Sequence, residues 1–377
     1  MSASPEAHFA PGSLAARIDA VIDAAVAESR IVGAVVMVAK DGAIAYARAA
    51  GHADREAGIP TSEDTIFRLA SVTKPMVAAT ALAFVDDGVI GVDDPVTRFL
   101  PDFRPKLADG STPVITVRHL LTHTSGLIYG YDAAAGICEG LAGPSLSMAE
   151  NLARIAAQPL AFAPGSAFRY SVAIDVLGGL LEQAAGASLP ELVAAKVTQP
   201  LGLADTEFYP SKADRLSAAY GDGADGAVRM DDPHTVGNPE SNVTFSPSRA
   251  FDRAVFASGG AGMVGSAPDF LRFLEAVRQG GTPILSTKSV ALLTTNAIGD
   301  FDTGVAGRGF SLGWSIHHHP EASGAPFSPG TWQWGGVYGH SWFVDPVRAL
   351  SVVSFSNTAL AGVGGPYPDA IRDAVYG

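Results

Sequence analysis

The chain has 377 residues, 47% of them hydrophobic and 17% charged, with a formal charge of −13. Its length predicts two domains rather than one core, and the acidic balance argues against nucleic acid or another polyanion as partner. No apolar stretch is long enough to cross a bilayer, so no membrane partner is expected.

The single cysteine, Cys138, excludes an internal disulfide and agrees with a reducing, cytoplasmic setting. The first residues, Met1-Ser2-Ala3-Ser4-Pro5-Glu6-Ala7-His8, lack the basic and apolar regions of a secretory signal. Ser13 to Arg30 carries apolar residues at helical spacing. Val32 to Lys40 and Ala43 to Gly51 read as strands, and Asp41-Gly42 between them marks a tight hairpin. A helix opens near Ser71 and runs to about Asp87, where Gly88 is placed to stop it.

From about Pro105 to Ala224 helical segments follow one another: Val117 to Thr124, Met148 to Gln158, Val172 to Ala185 and Pro190 to Gln199. Gly221 to Asn242 reads as a polar loop leading out of them. A helix over Pro268 to Arg278, capped by Ser266, follows. Strands over Trp342 to Val344 and Leu350 to Ser356 are joined at Asp345-Pro346, and Pro368 to Tyr376 makes a closing helix. The expected class is α+β: an antiparallel sheet built from both chain ends and flanked by helices, beside a mostly helical domain. The expected division is 1–106 with 226–377 for the first domain and 107–225 for the second.

Ser71 and Lys74 stand three residues apart at the start of an apolar helix, so they share a face. A serine hydroxyl becomes a nucleophile when a base takes its proton, and an unprotonated lysine can serve. Pro75 fits a first helical turn, whose N–H groups have no intrahelical acceptor. Lysine is scarce, at positions 40, 74, 106, 196, 212 and 288, and only Lys74 follows a serine at this spacing.

Four other patterns carry less. Gly309-Phe310-Ser311-Leu312-Gly313 matches a nucleophile elbow, but Trp314-Ser315-Ile316 continues as a strand where a helix is required. Gly260 to Gly265 matches a dinucleotide fingerprint without its acidic residue or βαβ frame, and reads as a glycine-rich turn beneath an active site. His317-His318-His319 on a strand would point to opposite faces, so no metal site is expected there. His119 and His123 lack the intervening glutamate of a zinc motif and read as residues that cap or fill a helix.

Taken together, several stretches resemble the family that unites class C β-lactamases, penicillin-binding proteins and family VIII carboxylesterases. They are Phe67 to Pro75, Leu120-Leu121-Thr122-His123-Thr124-Ser125-Gly126-Leu127, and Phe162-Ala163-Pro164-Gly165 leading to Tyr170-Ser171. Gln333-Trp334-Gly335-Gly336-Val337-Tyr338-Gly339-His340-Ser341-Trp342 looks like the esterase branch. The resemblance implies a β-lactamase/transpeptidase-like fold with the active site between its two domains. It also implies Ser71, Lys74 and Tyr170 as the catalytic set, and the backbone N–H groups of Ser71 and Val337 as oxyanion hole. Tyr129 and Trp334 would line the substrate pocket, and Gly335 and Gly336 would let the backbone approach the substrate.

The departures inform the substrate. The lactamases' Tyr-x-Asn is Tyr170-Ser171-Val172 here, and Trp334-Gly335-Gly336 replaces their Lys-Thr-Gly, which removes a carboxylate anchor. The implied activity is hydrolysis of uncharged short- to medium-chain esters through a Ser71 acyl-enzyme, with no metal or organic cofactor. Lysine and tyrosine ordinarily titrate near ~10, and the sequence leaves open which of Lys74 and Tyr170 is deprotonated at rest. Alternatives are a β-lactamase or D-aminopeptidase, an acyltransferase, and a catalytically silent binding module.

Overall fold

The computed structural model describes residues 12–238 and 241–377, so the segment Met1 to His8 lies outside the described residues. The β-branched run after Val32 forms the strand Gly33–Lys40, buried at every residue but the last. Asp41 and Gly42 turn it back with φ of 54° and 85°, the pair of positive values that a two-residue hairpin needs. On its other side the strand pairs antiparallel with Leu350–Ser356, Ala34 opposite Ser356 and Lys40 opposite Leu350. The two ends of the chain thus meet in one sheet.

That sheet has eight strands. From one edge they run Arg308–Phe310, Ser315–His317, Thr331–Gly336, His340–Asp345, Leu350–Ser356, Gly33–Lys40, Ala43–Asp54 and Ile59–Pro60. Successive side chains of a strand point to opposite faces. Val36 and Val38 accordingly join Ile18 and Ile22 of the helix Leu14–Ala27 and Tyr367 and Ile371 of the helix Pro366–Tyr376. Val35 and Met37 face the other way, into a larger cluster with Phe270 and Phe273 of the helix Ala267–Arg278.

The same cluster runs without a break through Met76, Val77 and Leu82 of the helix Thr73–Asp86 to Leu177, Leu180 and Leu181 of the helix Ala173–Ala185. The Thr73–Asp86 helix is buried from Thr73 to Phe84. Any displacement of its first turn would therefore be resisted from every side. The middle of the chain is helical as expected, with Val117–Leu121, Met148–Ala156, Ala173–Ala185 and Leu189–Val193. The last of these continues through a π-helical turn, Ala194–Thr198.

Two expectations fail locally. Gly221 to Asn242 is no loop: Tyr220–Gly221 pairs with Val228–Arg229, and His234–Asn238 pairs with Ser241–Phe245. These ladders are short and polar, which hides the alternation that would mark a strand. Ser266 precedes the helix Ala267–Arg278 but its side chain makes no capping bond, since it ends a buried strand opposite Ile66.

Two sheet histidines make the fold acid-sensitive. Burial lowers both His317 and His340 to about 4, against about 6.5 in an unfolded chain. Below about pH 6.5 the unfolded state binds protons that the folded state refuses, so stability falls as pH falls toward 4. The two together predict a slope of up to roughly 2.7 kcal/mol per pH unit in that window. Urea denaturation at pH 7 and pH 5 checks this. His340→Gln and His317→Gln should each flatten the slope, and an unchanged slope in both would contradict the assignment.

Candidate active site

The strand Ile66–Arg68 pairs with Val264–Ser266, and the chain then enters a 3-10 turn, Ala70–Val72, that leads into the helix Thr73–Asp86. Ala70 takes a φ of 45°, a left-handed conformation that costs a non-glycine residue about 1–3 kcal/mol. Packing holds it there: Ala70 is fully buried among Phe245, Tyr338 and Ala359. Ser71 follows, at the N-terminal end of the helix.

Lys74, one turn on, is only 2% exposed. Its Nζ donates to Ser71 Oγ at 3.2 Å and to Gly260 O at 2.8 Å. It also lies 4.6 Å from the centroid of the Tyr170 ring and 5.5 Å from that of Tyr129. The Tyr170 hydroxyl is buried with no hydrogen-bond partner among the described residues. A desolvated phenol without a partner is costly, which marks it as a group kept free for something that binds. Ser71, Tyr129, Tyr170 and Val337 together line a cleft of about 550 Å³.

Two further groups complete the surroundings: Asp175, which the sequence does not single out, and His123, which it reads only as a residue that caps or fills a helix. Asp175, in the first turn of Ala173–Ala185, is fully buried. Its Oδ1 accepts from Ser258 Oγ at 2.6 Å and from Gly260 N at 3.1 Å. Asp175 thereby holds Gly260, the residue whose carbonyl receives Lys74, by its N–H and, through Ser258 Oγ, by the N–H of Ala261. Burial pushes its carboxyl above the usual range, against the Ser258 hydrogen bond and the Lys74 charge. His123 lies one residue past the helix cap with a φ of 56°, 4.7 Å from the Tyr170 ring. Its Nδ1 accepts from Ser171 N at 3.3 Å, and burial beside Lys74 holds it well below its ordinary pKa. His123 is a neutral wall behind Tyr170, whereas His119 caps its helix by accepting from Thr116 N at 3.2 Å.

Trp334, Gly335 and Gly336 stand behind the residues that line this cleft directly. Trp334 packs 5.0 Å from the Tyr170 ring and 5.3 Å from Phe310, so it backs the tyrosine. The glycines admit backbone: a Cβ at Gly336 would stand 2.3 Å from Leu69 O, and one at Gly335 2.5 Å from His340 O. The strand Thr331–Gly336 therefore lies directly on the turn that carries Ser71. His340 reinforces this crossing, its Nε2 donating to Arg68 O at 2.7 Å.

The remaining motifs fall outside the site. Ser311 is fully buried, donating to Trp314 O at 3.0 Å and accepting from Gly313 N and Trp314 N at 3.2 Å, as a turn residue would. Gly260 to Gly265 is the turn beneath Lys74, as expected. His317 bonds Gln333 Oε1 at 2.7 Å while His319 is exposed, and no three metal-ligating side chains converge among the described residues.

A family model described as Beta-lactamase matches residues 18–375. The chain belongs to that family. It is 50% identical over 374 residues to Esterase EstB of Burkholderia gladioli, covering 97% of this chain and 95% of that one. The solved structure of EstCE1, titled a hydrolase with promiscuous acyltransferase activity, matches with a TM-score of 0.94 at 44% identity, over 97% of this chain and 98% of that one. A penicillin-binding protein homologue from Pyrococcus abyssi shares the fold, with a TM-score of 0.74 at 23% identity over 95% of this chain and 76% of that one. The β-lactamase/transpeptidase-like fold is thus established, and the relatives agree with the esterase branch that the Gln333 to Trp342 segment resembles.

Two substitutions test this geometry. Gly336→Ala forces the strand off Leu69 and should cost roughly 1–3 kcal/mol in urea denaturation. Wild-type stability there would show that the contact is loose. Ser311→Ala should lose about 1–3 kcal/mol through its unsatisfied turn N–H groups.

Proposed function

We propose that the chain is a serine carboxylesterase acting on uncharged short- to medium-chain esters. The observation that carries the reading is the contact of the buried Lys74 amine nitrogen with Ser71 Oγ at 3.2 Å. In this reading Ser71 Oγ attacks the ester carbonyl and its proton passes to the Lys74–Tyr170 pair. The carbonyl oxygen turns toward the N–H groups of Ser71 and Val337, each donor worth on the order of 3 kcal/mol in the transition state. The pair returns the proton to the leaving alkoxide, which departs as alcohol. Water then attacks the acyl-enzyme, gives its proton to the pair, and Ser71 is regenerated as acid leaves.

The substrates are small molecules, with neither nucleic acid nor membrane as partner. The cleft sits between a sheet domain, 1–106 with 226–377, and a mostly helical domain, 107–225. We assign the protein to the cytoplasm on the strength of its lone, buried Cys138, which fractionation of expressing cells would check. Among the described residues no helix is long and apolar enough to cross a membrane. One second reading has support: EstCE1 is titled as having promiscuous acyltransferase activity, and an alcohol could replace water at the acyl-enzyme.

Nitrophenyl butyrate turnover tests the proposal. Ser71→Ala and Lys74→Ala should each lose roughly 10³-fold or more in kcat with the circular dichroism unchanged, while Ser311→Ala retains activity. Full activity in Ser71→Ala would end the proposal. A chromogenic cephalosporin should turn over far more slowly than the ester, and the reverse order would favour a lactamase.

A further inference from the structure

The charge pattern of the cleft bears on its substrate. Three tyrosines, Tyr129, Tyr131 and Tyr170, contribute to its lining, and the ionisable acids on it are Asp132 and Glu139. Among the described residues no lysine, arginine or histidine lines it. Lys74 lies below Ser71, with its hydrogen bonds to Ser71 Oγ and Gly260 O already made.

The two acids are held in place. Glu139 Oε1 accepts from Gly130 N at 2.7 Å and from Tyr131 N at 3.1 Å, which ties it to the stretch that carries Tyr129 and Tyr131. Asp132 Oδ1 accepts from Ala134 N at 2.8 Å, in the same stretch. The Tyr129 and Tyr170 rings stand 5.4 Å apart at 49°, so the wall nearest Ser71 is aromatic. Tyr170, whose buried hydroxyl has no partner among the described residues, belongs to that wall. Aromatic faces attract an alkylammonium through their quadrupole. Carboxylates beside a low-dielectric wall strengthen that attraction and repel anions.

We propose that the cleft favours esters bearing an ammonium or quaternary ammonium group, seated among Tyr129, Tyr131, Asp132 and Glu139 while the carbonyl reaches Ser71. This names a substrate class and rests on the esterase reading. The cation occupies the outer cleft, and neutral esters of the same shape bind by apolar contact alone. Anionic esters meet no opposite charge on the lining and are the poorest of the three.

The test uses one acyl group with three alcohols: butyrylcholine, its neutral isostere 3,3-dimethylbutyl butyrate, and a sulfonate-bearing alkyl butyrate. At low ionic strength kcat/KM should be about fivefold to tenfold higher for butyrylcholine than for the isostere, and lowest for the sulfonate. Glu139→Gln, which keeps an acceptor for the two backbone N–H groups, combined with Asp132→Asn should cut the cationic-to-neutral ratio severalfold, leaving only the smaller preference of the aromatic faces. Since the ratio is read within each variant, a general loss of activity cancels. Equal kcat/KM for the first two esters in the wild type, or a ratio unchanged by the double substitution, would overturn the inference. Failure to hydrolyse the neutral ester as well would instead sink the esterase reading beneath it.

Discussion

A lysine amine enclosed in a nearly dry interior governs the rest of this structure. Lys74 is 2% exposed and gives hydrogen bonds to two oxygens, Ser71 Oγ and Gly260 O. Burying a polar nitrogen is tolerable only where hydrogen-bond partners replace the water it loses. One such partner is the proposed nucleophile, and the other is the carbonyl of Gly260, a residue whose own N–H donates to the buried Asp175. Removing either would leave a buried donor short of a partner. The cost of burying Lys74 and the positioning of Ser71 are one problem with one solution.

A second constraint fixes the turn from above. The strand Thr331–Gly336 crosses Leu69 O so closely that a methyl group on Gly336 would collide with it. His340 ties Arg68 O to the next strand at 2.7 Å, and burial keeps that imidazole neutral at ordinary pH. The left-handed Ala70 is trapped between these contacts and the cluster around Phe245 and Tyr338. A strained residue beside a nucleophile persists only when the surroundings over-determine it. Here they come from both ends of the chain, because Leu350–Ser356 and Gly33–Lys40 are neighbours in the sheet.

What could be read from sequence follows the range of the interactions. Ser71 and Lys74 were legible because their proximity is a property of a single helical turn. The inner strands were legible because a run such as Val35 to Ala39 has few other uses. Asp175 was not: an acid in a helix first turn is ordinary, and its meaning comes from Ser258 and Gly260, distant in sequence. His123 likewise becomes intelligible only when Tyr170 and Ser171 are folded against it. The packing of Trp334 against Tyr170 and Phe310 is also a contact between distant segments that a motif does not specify. The hairpin of His234–Asn238 and Ser241–Phe245 escaped because polar strands look like loops.

The central claim is that Ser71 carries the acyl group in turnover. Mixing the protein with nitrophenyl butyrate, quenching in acid during steady turnover and mapping the protein by peptide mass spectrometry addresses it directly. The account predicts one butyryl group, on the peptide containing Ser71 and at that residue. An adduct on Ser311 or another side chain, or rapid ester consumption with the Ser71 peptide never modified, would contradict it.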